Sequence, residues 1–386
     1  MDLRRIYSWE LPVRLVFGVD ASKRAGVELR GLGGTKALVV TDKGIVKAGL
    51  MDGILEAMRM DEVAFAVFDE VEANPSIACV EKALALYKAE GCDCLLAIGG
   101  GSSMDTAKAA GVLATNGGKI TDYEGAGKFK NPLPPLIAVP TTCGTGSEVT
   151  HIAVITDPAR KFKFAVASVL EFPKVALIDP MLLVNLPGPI VAATGMDALT
   201  HAIESYTNAN VQPVSDALDL HAIKMISENL RTATANGNLE AINNMVLAST
   251  IAGMGFTNTR LTIVHAMSHT LGGHANVPHG VANAILLPYV MEWNLIGAPQ
   301  RFADIARAMG EDTTGLTTMQ AAELSVEAVR KLSLDVGIPQ TMREVGITEE
   351  MIPALADDSM LSGNIPLNPR RVTRDDIVAI FKRALG

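Results

Sequence analysis

The chain has 386 residues, of which 48% are hydrophobic and 19% charged, and a formal net charge of −9. A chain of this length usually exceeds a single hydrophobic core, so we expect two domains in a well-buried globular protein. The acidic balance, with no cluster of lysine or arginine to offset it, argues against nucleic acid as a partner.

The sequence offers no signal for a membrane or a secretory route. No stretch reaches the roughly eighteen uninterrupted apolar residues of a membrane span, and the amino-terminal segment lacks the apolar core of a signal peptide. Four cysteines, two of them in the pattern Cys92-Asp-Cys94, form neither a disulfide scaffold nor a CxxC motif. We therefore expect a cytoplasmic protein with reduced thiols and no membrane partner.

Short apolar runs alternate with helix-length segments through the first half of the chain. We predict strands at residues 37–41, 63–68 and 94–98, with helices ending near residues 60 and 90, and further strands at 136–139, 160–165 and 175–178. Strands that alternate with helices imply a parallel sheet covered on both faces. This pattern predicts an α/β nucleotide-binding domain of the Rossmann-like kind over residues 1–185.

The first candidate nucleotide site is the segment GGGSSMDTAK at residues 99–108. Glycines between a strand and a helix let the backbone approach a pyrophosphate, and the helix N-terminus favours its negative charge. The segment is neither GxGxxG nor a P-loop, so a tight strand-to-helix turn is the alternative. Asp42, at the end of an earlier strand, could accept hydrogen bonds from ribose and disfavour NADP, or simply begin a turn.

A second apolar strand delivers the hydroxyl-rich segment PTTCGTGSEVT at residues 140–150, a plausible second wall for a cofactor. Beyond it, alternation in the segment that contains Lys161 and Lys163 predicts a strand with both lysines on one face. Such lysines are usually solvated, although one could meet a nicotinamide ribose or a phosphate.

The second half of the chain consists of helix-compatible runs. They follow the proline-rich segment 185–189, which is the best domain boundary, and lie at residues 192–207, 215–231, 239–258, 264–272, 301–310 and 319–336. We therefore predict an all-helical domain over residues 186–386.

Two segments of this half concentrate histidine: GMDALTHAIE at residues 195–204 and HAMSHTLGGHANVPHG at residues 265–280. Asp197 and His201 are spaced i and i+4, so on a helix their side chains share one face. A carboxylate and an imidazole from one helix, joined by two imidazoles from another segment, would suit Fe(II) or Zn(II). A lone histidine is usually core or surface, but a concentration of this kind favours a metal site.

Taken together, these four motifs resemble the iron-containing (group III) alcohol dehydrogenase family, and most closely its 1,3-propanediol dehydrogenase and lactaldehyde reductase branch. The resemblance runs from about Val13 to the carboxyl-terminal segment and so covers nearly the whole chain. It implies an α/β domain followed by a helical metal-binding domain, an architecture like that of dehydroquinate synthase. It also implies NAD, Fe(II) or Zn(II), a small alcohol or aldehyde as substrate, and a homo-oligomer.

The resemblance assigns roles to individual residues. The metal ligands would be Asp197, His201, His265 and His279, and His269 would lie near the nicotinamide as a candidate for proton transfer. The cofactor contacts would be Asp42, Asn74, Gly100, Gly101, Ser102, Thr141, Thr142, Ser147 and Lys163.

Three positions depart from the family pattern. His274 replaces a bulky apolar residue and could compete as a ligand, Thr262 replaces a glycine, and His151 lies near the expected nicotinamide site. We expect all three to bear on substrate choice.

The expected reaction is hydride transfer between an alcohol and NAD at a Lewis-acidic metal, in the cleft between the two domains. A zinc polyol dehydrogenase of the glycerol dehydrogenase kind is the alternative within the superfamily. Outside it, a metallohydrolase or a nucleotide-sensing module could share single motifs, but neither has a use for both sites.

Overall fold

A computed structural model describes residues 6–160 and 162–386 of the chain. Residues 1–5, the start of the segment expected to lack the apolar core of a signal peptide, lie outside the described residues, as does Lys161, which was predicted to share a strand face with Lys163. Contacts group the chain into an α/β unit of Glu10–Thr142 and Gly146–Val184, and a helical unit that includes residues 6–9, Cys143–Thr145 and Asn185–Gly386. The domain limits of 1–185 and 186–386 stay a prediction.

Nine strands are described in the α/β unit: β1 Arg14–Phe17, β2 Lys36–Val40, β3 Ala64–Phe68, β4 Cys94–Gly99, β5 Gly125–Ala126, β6 Leu136–Pro140, β7 Ile152–Asp157, β8 Phe162–Ala167 and β9 Val175–Ile178. Six of them form a parallel sheet in the order β1-β9-β6-β4-β2-β3. The other three form a small sheet in the order β5-β8-β7, in which β7 and β8 are antiparallel. The main sheet is thus parallel throughout, as the alternating pattern predicts.

Helices cover both faces of the six-stranded sheet. They are α1 Ala25–Gly31, α2 Lys43–Lys47, α3 Asp52–Met60, α4 Ile77–Ala89 and α5 Gly101–Asn116. Strand β4 is buried along its whole length, and alternate residues point to opposite faces. Leu95 and Ala97 pack into one apolar cluster with α4 and α5, whereas Leu96 and Ile98 join the cluster of α1 and α3. This two-sided burial explains why β4 reads as one continuous apolar run.

Three differences from the sequence prediction have local causes. The helix predicted to end near residue 60 is divided into α2 and α3 by a turn in which Gly49 adopts φ +68°. Strand β1 was not predicted, because it is short and only partly buried at one edge of the sheet. Strands β5 and β7 also lie in segments that we did not assign to strands.

The helical unit contains α6 Gly188–Thr207, α7 Pro213–Asn236, α8 Leu239–Thr259, α9 Ile263–Ala275, α10 His279–Asn294, α11 Pro299–Ala308, α12 Thr318–Asp335, α13 Ile352–Ser359 and α14 Arg374–Leu385. Residues 185–386 are all described and include no strand. The predicted fold class, an α/β part followed by a helical part, is therefore confirmed. Helices α10, α13 and α14 were not predicted.

Helix α6 carries the first metal-site motif and packs directly on α7 and α8, which also pack on each other. A Cβ at Gly195 would overlap the Leu230 side chain of α7 and lie 2.9 Å from Cε of Met245 on α8. The glycine therefore permits the close approach of three helices around the turn that carries Asp197. Within the described part of the chain, no helix combines the length and apolar character that crossing a membrane requires.

Candidate metal centre and nucleotide site

Helix α6 presents Asp197 and His201 on one face. Oδ1 of Asp197 lies 3.9 Å from Nε2 of His201, one helical turn further on. The two residues are 2% and 5% exposed. Burial raises the pKa of Asp197, since a carboxylate loses its hydration inside the protein. A buried carboxylate is stable only when a cation or hydrogen-bond donors compensate its charge.

Helices α9 and α10 bring two more imidazoles to Asp197. Nε2 of His265 lies 3.8 Å and Nε2 of His279 3.7 Å from Oδ1 of Asp197. The ligand atoms of these three residues all lie within 4.8 Å of one another. His201 adjoins the trio through Asp197 and through its ring, which stacks on His265 with 4.7 Å between centroids. The structure thus brings three of the four predicted ligands within reach of one ion and places the fourth, His201, beside them.

The spacing of these atoms fits a divalent ion. In a tetrahedral site with bonds of about 2.1 Å, ligand atoms stand about 3.4 Å apart. The separations of 3.7–3.9 Å from Oδ1 of Asp197 exceed this edge by only a few tenths of an ångström. One carboxylate oxygen and three imidazole nitrogens form a donor set that suits Fe(II) and Zn(II) alike.

Hydrogen bonds to the opposite ring nitrogens orient two of the imidazoles. Nδ1 of His201 lies 3.1 Å from the carbonyl oxygen of Gly144, and Nδ1 of His265 lies 2.5 Å from Oε2 of Glu204. Donation from Nδ1–H leaves the Nε2 lone pair facing Asp197. Burial lowers the pKa of His265 well below 6.5, which favours the neutral ring that a metal ligand requires.

Glu204 is a buried carboxylate with three donors around it. Besides His265, it accepts hydrogen bonds from the hydroxyl of Thr262 and, at 2.7 Å, from the backbone N–H of Val264. Burial raises the pKa of Glu204 to about 7. Thr262, one of the departures from the family pattern, therefore contacts the residue that orients His265.

Asn283 is the second buried residue that sequence reasoning missed. Its Nδ2 lies 2.6 Å from Oδ1 of Asp197, 3.0 Å from Nε2 of His265 and 3.2 Å from Nε2 of His279. Its position i+4 from His279 on α10 was the available signal, as was i+3 from His201 for Glu204. Neither spacing is distinctive without knowledge of which helices pack together.

Three further histidines that the sequence analysis singled out border the cluster or lie away from it. The ring centroid of His269 is 6.0 Å from that of His265 and 5.3 Å from that of His279, so it borders the cluster. His274 instead places Nε2 2.6 Å from Oδ2 of Asp358 on α13. His151, in the α/β unit, packs against Phe172 with 5.0 Å between centroids.

In the α/β unit, the predicted glycine turn joins β4 to α5. Gly99 adopts φ +152°, and a Cβ there would overlap the Ser103 side chain, so the turn requires glycine. Gly100 precedes the helix without a side-chain cap, and Gly101 is its first residue. The backbone N–H groups of the first turn are thus suited to an anion such as a pyrophosphate. A Cβ at Gly100 would lie 3.2 Å from Oγ1 of Thr142, which brings the two predicted cofactor motifs together.

Three predicted cofactor residues are joined by hydrogen bonds beside this turn. The backbone N–H of Asn74 donates to Oγ of Ser102 at 3.3 Å, and Nζ of Lys163 donates to Oδ1 of Asn74 at 2.8 Å. Asn74 adopts φ +59°, a conformation that asparagine tolerates better than most residues. Burial lowers the pKa of Lys163. These side chains form a polar group that could meet a nucleotide.

Asp42 has a local role as well as its predicted one. Its Oδ1 accepts hydrogen bonds from the backbone N–H groups of Gly44 at 2.7 Å and Ile45 at 3.1 Å, so it caps α2. The turn interpretation of Asp42 thus describes part of its role. A ribose contact through its other oxygen stays a prediction.

Ser147 and Thr141, also predicted cofactor contacts, are buried. Oγ of Ser147 donates to Oδ1 of Asp105 at 3.1 Å and accepts from Nζ of Lys108 at 2.9 Å. The backbone N–H of Thr141 donates to the carbonyl oxygen of Gly99 at 3.0 Å. Both residues thus make hydrogen bonds within the α/β unit, and their cofactor contacts stay a prediction.

Near Lys108 lies the fully buried Glu171, which sequence reasoning did not single out. Neither carboxyl oxygen of Glu171 accepts a hydrogen bond from the described residues. Burial raises its pKa well above the ordinary value, although the charge of Lys108 opposes this shift. Ionisation of this carboxyl group should therefore make the stability of the folded protein depend on pH.

Comparison with known proteins accounts for both units. The model of the iron-containing alcohol dehydrogenases matches residues 12–180, and that of the C-terminal part of the Fe-containing alcohol dehydrogenase family matches residues 191–385. A 1,3-propanediol dehydrogenase of Klebsiella pneumoniae is 45% identical over 98% of this chain and 99% of its own length. The NAD-dependent methanol dehydrogenase of Bacillus methanolicus is 42% identical over 97% of this chain and 99% of its own. The lactaldehyde reductase of Escherichia coli K12 is 42% identical over 95% and 97%.

Solved structures agree with these relatives. The crystal structure of a 1,3-propanediol oxidoreductase superimposes with a TM-score of 0.97 at 45% identity, covering 99% of this chain and 100% of that one. An alcohol dehydrogenase from Oenococcus oeni gives a TM-score of 0.96 at 44% identity, covering 98% and 100%.

The fold and the site, with these likenesses, define an oxidoreductase that interconverts alcohols and aldehydes. The chain belongs to the iron-containing alcohol dehydrogenase family. The resemblance inferred from the motifs is thereby confirmed, and the metallohydrolase and nucleotide-sensing alternatives lose their support.

Proposed function

We propose that this enzyme transfers a hydride between NAD(H) and a short-chain primary alcohol or diol, at a divalent ion, Fe(II), held by Asp197, His201, His265 and His279. The observation that carries the proposal is the convergence of three Nε2 atoms on Oδ1 of Asp197, at 3.7–3.9 Å. A bound divalent ion supplies Lewis acidity, which favours the deprotonated form of an alcohol near neutral pH.

The protein's own residues would hold and orient the reactants. Glu204 and Gly144 fix the tautomers of His265 and His201, so that each ring offers Nε2 to the ion. The burial of these groups excludes water from the charged cluster and strengthens each electrostatic contact there. His269, which borders the cluster, is our candidate for proton transfer.

The nucleotide would bind to the α/β unit. The glycine turn at Gly100 and Gly101 and the N-terminus of α5 would bind the pyrophosphate, and Asp42 the adenosine ribose. The linked residues Asn74, Ser102 and Lys163 would bind the nicotinamide half together with Thr141, Thr142 and Ser147. That the Bacillus methanolicus relative is named NAD-dependent supports the choice of NAD over NADP.

A zinc polyol dehydrogenase is the second candidate, since the donor set fits Zn(II) as well as Fe(II). Metal analysis of protein purified without oxygen separates the two. We further propose a homo-oligomer, as the family resemblance implies, which light scattering would test. All four cysteines are unpaired and buried, which supports a reducing, cytoplasmic location.

One assay tests the central proposal. NAD-linked oxidation is followed over a panel of short alcohols and diols, with metal-depleted enzyme and after reconstitution with Fe(II) or with Zn²⁺. We expect saturable NADH formation that requires a metal and is greatest for short primary alcohols or diols. Equal turnover in metal-depleted enzyme, or no saturable NADH binding by fluorescence titration, would contradict it.

A further inference from the structure

Three of the proposed metal ligands converge on the amide nitrogen of one residue, the fully buried Asn283. Nδ2 lies 2.6 Å from Oδ1 of Asp197, 3.0 Å from Nε2 of His265 and 3.2 Å from Nε2 of His279. All three partners are acceptors when the imidazoles are protonated on Nδ1. The chemistry of these neighbours therefore fixes the amide with its nitrogen toward them, since the opposite orientation would set oxygen against oxygen.

The hydrogen bonds of Asn283 compete with metal coordination. An amide group has two N–H donors, whereas three acceptors surround this one. Nδ1 of His265 lies 2.5 Å from Glu204, so its Nε2 keeps a single lone pair. That lone pair can accept an N–H of Asn283 or bind a cation, but not both. The carboxylate oxygen of Asp197 has additional lone pairs and can do both at once.

The other end of the amide gives a second, independent indication. Oδ1 of Asn283 is buried and accepts no hydrogen bond from the described residues. A buried acceptor without a donor destabilises the fold. A side chain selected for stability alone would not leave its oxygen in that position, so the placement of Asn283 calls for a role in the site.

We propose that Asn283 is a positioning residue of the metal centre that competes with the cation. Its N–H groups hold Asp197, His265 and His279 close together, and they release the two imidazoles when a divalent ion takes the Nε2 lone pairs, while the bond to Asp197 persists. This inference rests on the proposed metal ligands.

The proposal predicts the sign of a mutational effect. The two N–H groups of Asn283 stabilise the ligand set of the metal-free protein, but only the bond to Asp197 survives in the loaded protein. Asn283→Ala should therefore destabilise the metal-free form more than the loaded form, and the variant should bind metal more tightly. We expect the dissociation constant for Zn²⁺ to fall by about three- to tenfold, the effect of one ordinary hydrogen bond. A residue that only supports the bound metal would give the opposite result, a loss of affinity.

The test measures Zn²⁺ and Co²⁺ binding by chelator competition in wild type, Asn283→Ala and Asn294→Ala, with melting temperatures in chelator and in excess metal. Asn294 is a matched control, because it is buried on the same helix and its amide bonds to Asn368 at 2.9 Å, away from the ligands. We expect tighter binding and a larger metal-induced rise in melting temperature only for Asn283→Ala. Weaker or unchanged binding by that variant would overturn the inference, whereas failure of wild type to bind either ion would overturn the proposed function instead.

A measurement on the wild type alone covers the case in which Asn283→Ala does not fold. Crystals grown in chelator and soaked in Zn²⁺ should show Nδ2 of Asn283 within hydrogen-bond distance of both imidazoles without the ion. With the ion bound, Nδ2 should lie beyond 3.5 Å from both Nε2 atoms yet remain on Asp197, a distance limit for N–H···O and N–H···N bonds. An amide that keeps one position in both crystals would contradict the proposal.

Discussion

Nδ1 of His265 lies 2.5 Å from Oε2 of Glu204, and both side chains are buried. The carboxylate selects the imidazole tautomer and so determines which nitrogen of His265 faces Asp197. Glu204 itself is held by the Thr262 hydroxyl and the Val264 N–H. The orientation of His265 on α9 thus depends on a carboxylate of α6, which is itself held by two residues that lie close before His265 in the chain.

We predict that Glu204→Gln weakens metal binding by roughly 10- to 100-fold. The glutamine amide can place an N–H group against the Nδ1–H of His265 and so disfavour the tautomer that offers Nε2. Chelator competition with Zn²⁺ measures the effect. Glu171→Gln, the same exchange at another fully buried position, should leave Zn²⁺ affinity unchanged. Equal affinities for both variants and wild type would show that Glu204 does not orient the ligand.

His265→Ala should abolish turnover and metal binding while the protein remains folded. The substitution removes one of four donor nitrogens and oxygens from the proposed site, and three donors in a site shaped for four bind weakly. Metal content by elemental analysis, NADH formation and far-ultraviolet circular dichroism provide the three measurements. Retention of wild-type turnover would exclude His265 as a ligand.

Two substitutions at Asp42 should separate its two roles. Asp42→Asn retains a side chain able to cap α2, so the melting temperature should hardly change. The loss of negative charge should raise the relative preference for NADPH over NADH on the order of tenfold, if the carboxylate meets the ribose. Asp42→Ala should in addition lower the free energy of unfolding by about 1 kcal/mol through loss of the cap. An unchanged cofactor preference in Asp42→Asn would leave Asp42 as a helix cap only.

Glu171 should make folding stability depend on pH. Burial raises its pKa well above the ordinary value of 4.5, so the folded protein binds this proton more tightly than the unfolded chain does. The stability that Glu171 contributes is full below about pH 4.5 and is lost as the pH rises through the raised pKa. Glu171→Gln cannot lose a proton, so its melting temperature relative to wild type should increase as the pH rises above about 4.5 and through the raised pKa. Glu56→Gln, at an exposed position, should show no such trend.

His274→Ala should leave the metal content unchanged. Nε2 of His274 pairs with Asp358, and both side chains are partly exposed, so the pair should contribute no more than about 1 kcal/mol. Elemental analysis measures the metal content of this variant, with His279→Ala, which should lose metal, as the comparison. A fall in metal content on His274→Ala would restore the competing-ligand hypothesis.

The elements that the sequence predicts well are those whose burial follows a simple period. Strand β4 is apolar at every position because both faces of the sheet are covered, and α6 carries its two ligands at helical spacing. Helix α10 escaped prediction because Gly280 and Pro288 interrupt the helical pattern, yet its buried side chains stabilise the helix despite the proline. Local propensity is a weak guide where tertiary packing decides.

The same distinction applies to the site. The four proposed ligands could be named from histidine density and family resemblance, since both are properties of sequence. The roles of Glu204 and Asn283 could not, because each acts on a side chain of another helix. The sequence does not show which side chain a glutamate or asparagine of a helix will contact, because that depends on how α6, α9 and α10 pack together.

The carbonyl of Gly144 that orients His201 belongs to the three-residue segment Cys143–Thr145, which groups with the helical unit although it precedes that unit by some forty residues of chain. A fragment comprising Asn185–Gly386 would therefore retain all four proposed ligands and still lack one of the contacts that aims them. Dividing the chain near residue 185 would therefore separate His201 from the carbonyl group that orients it, so the proposed metal centre depends on residues from both sides of that point.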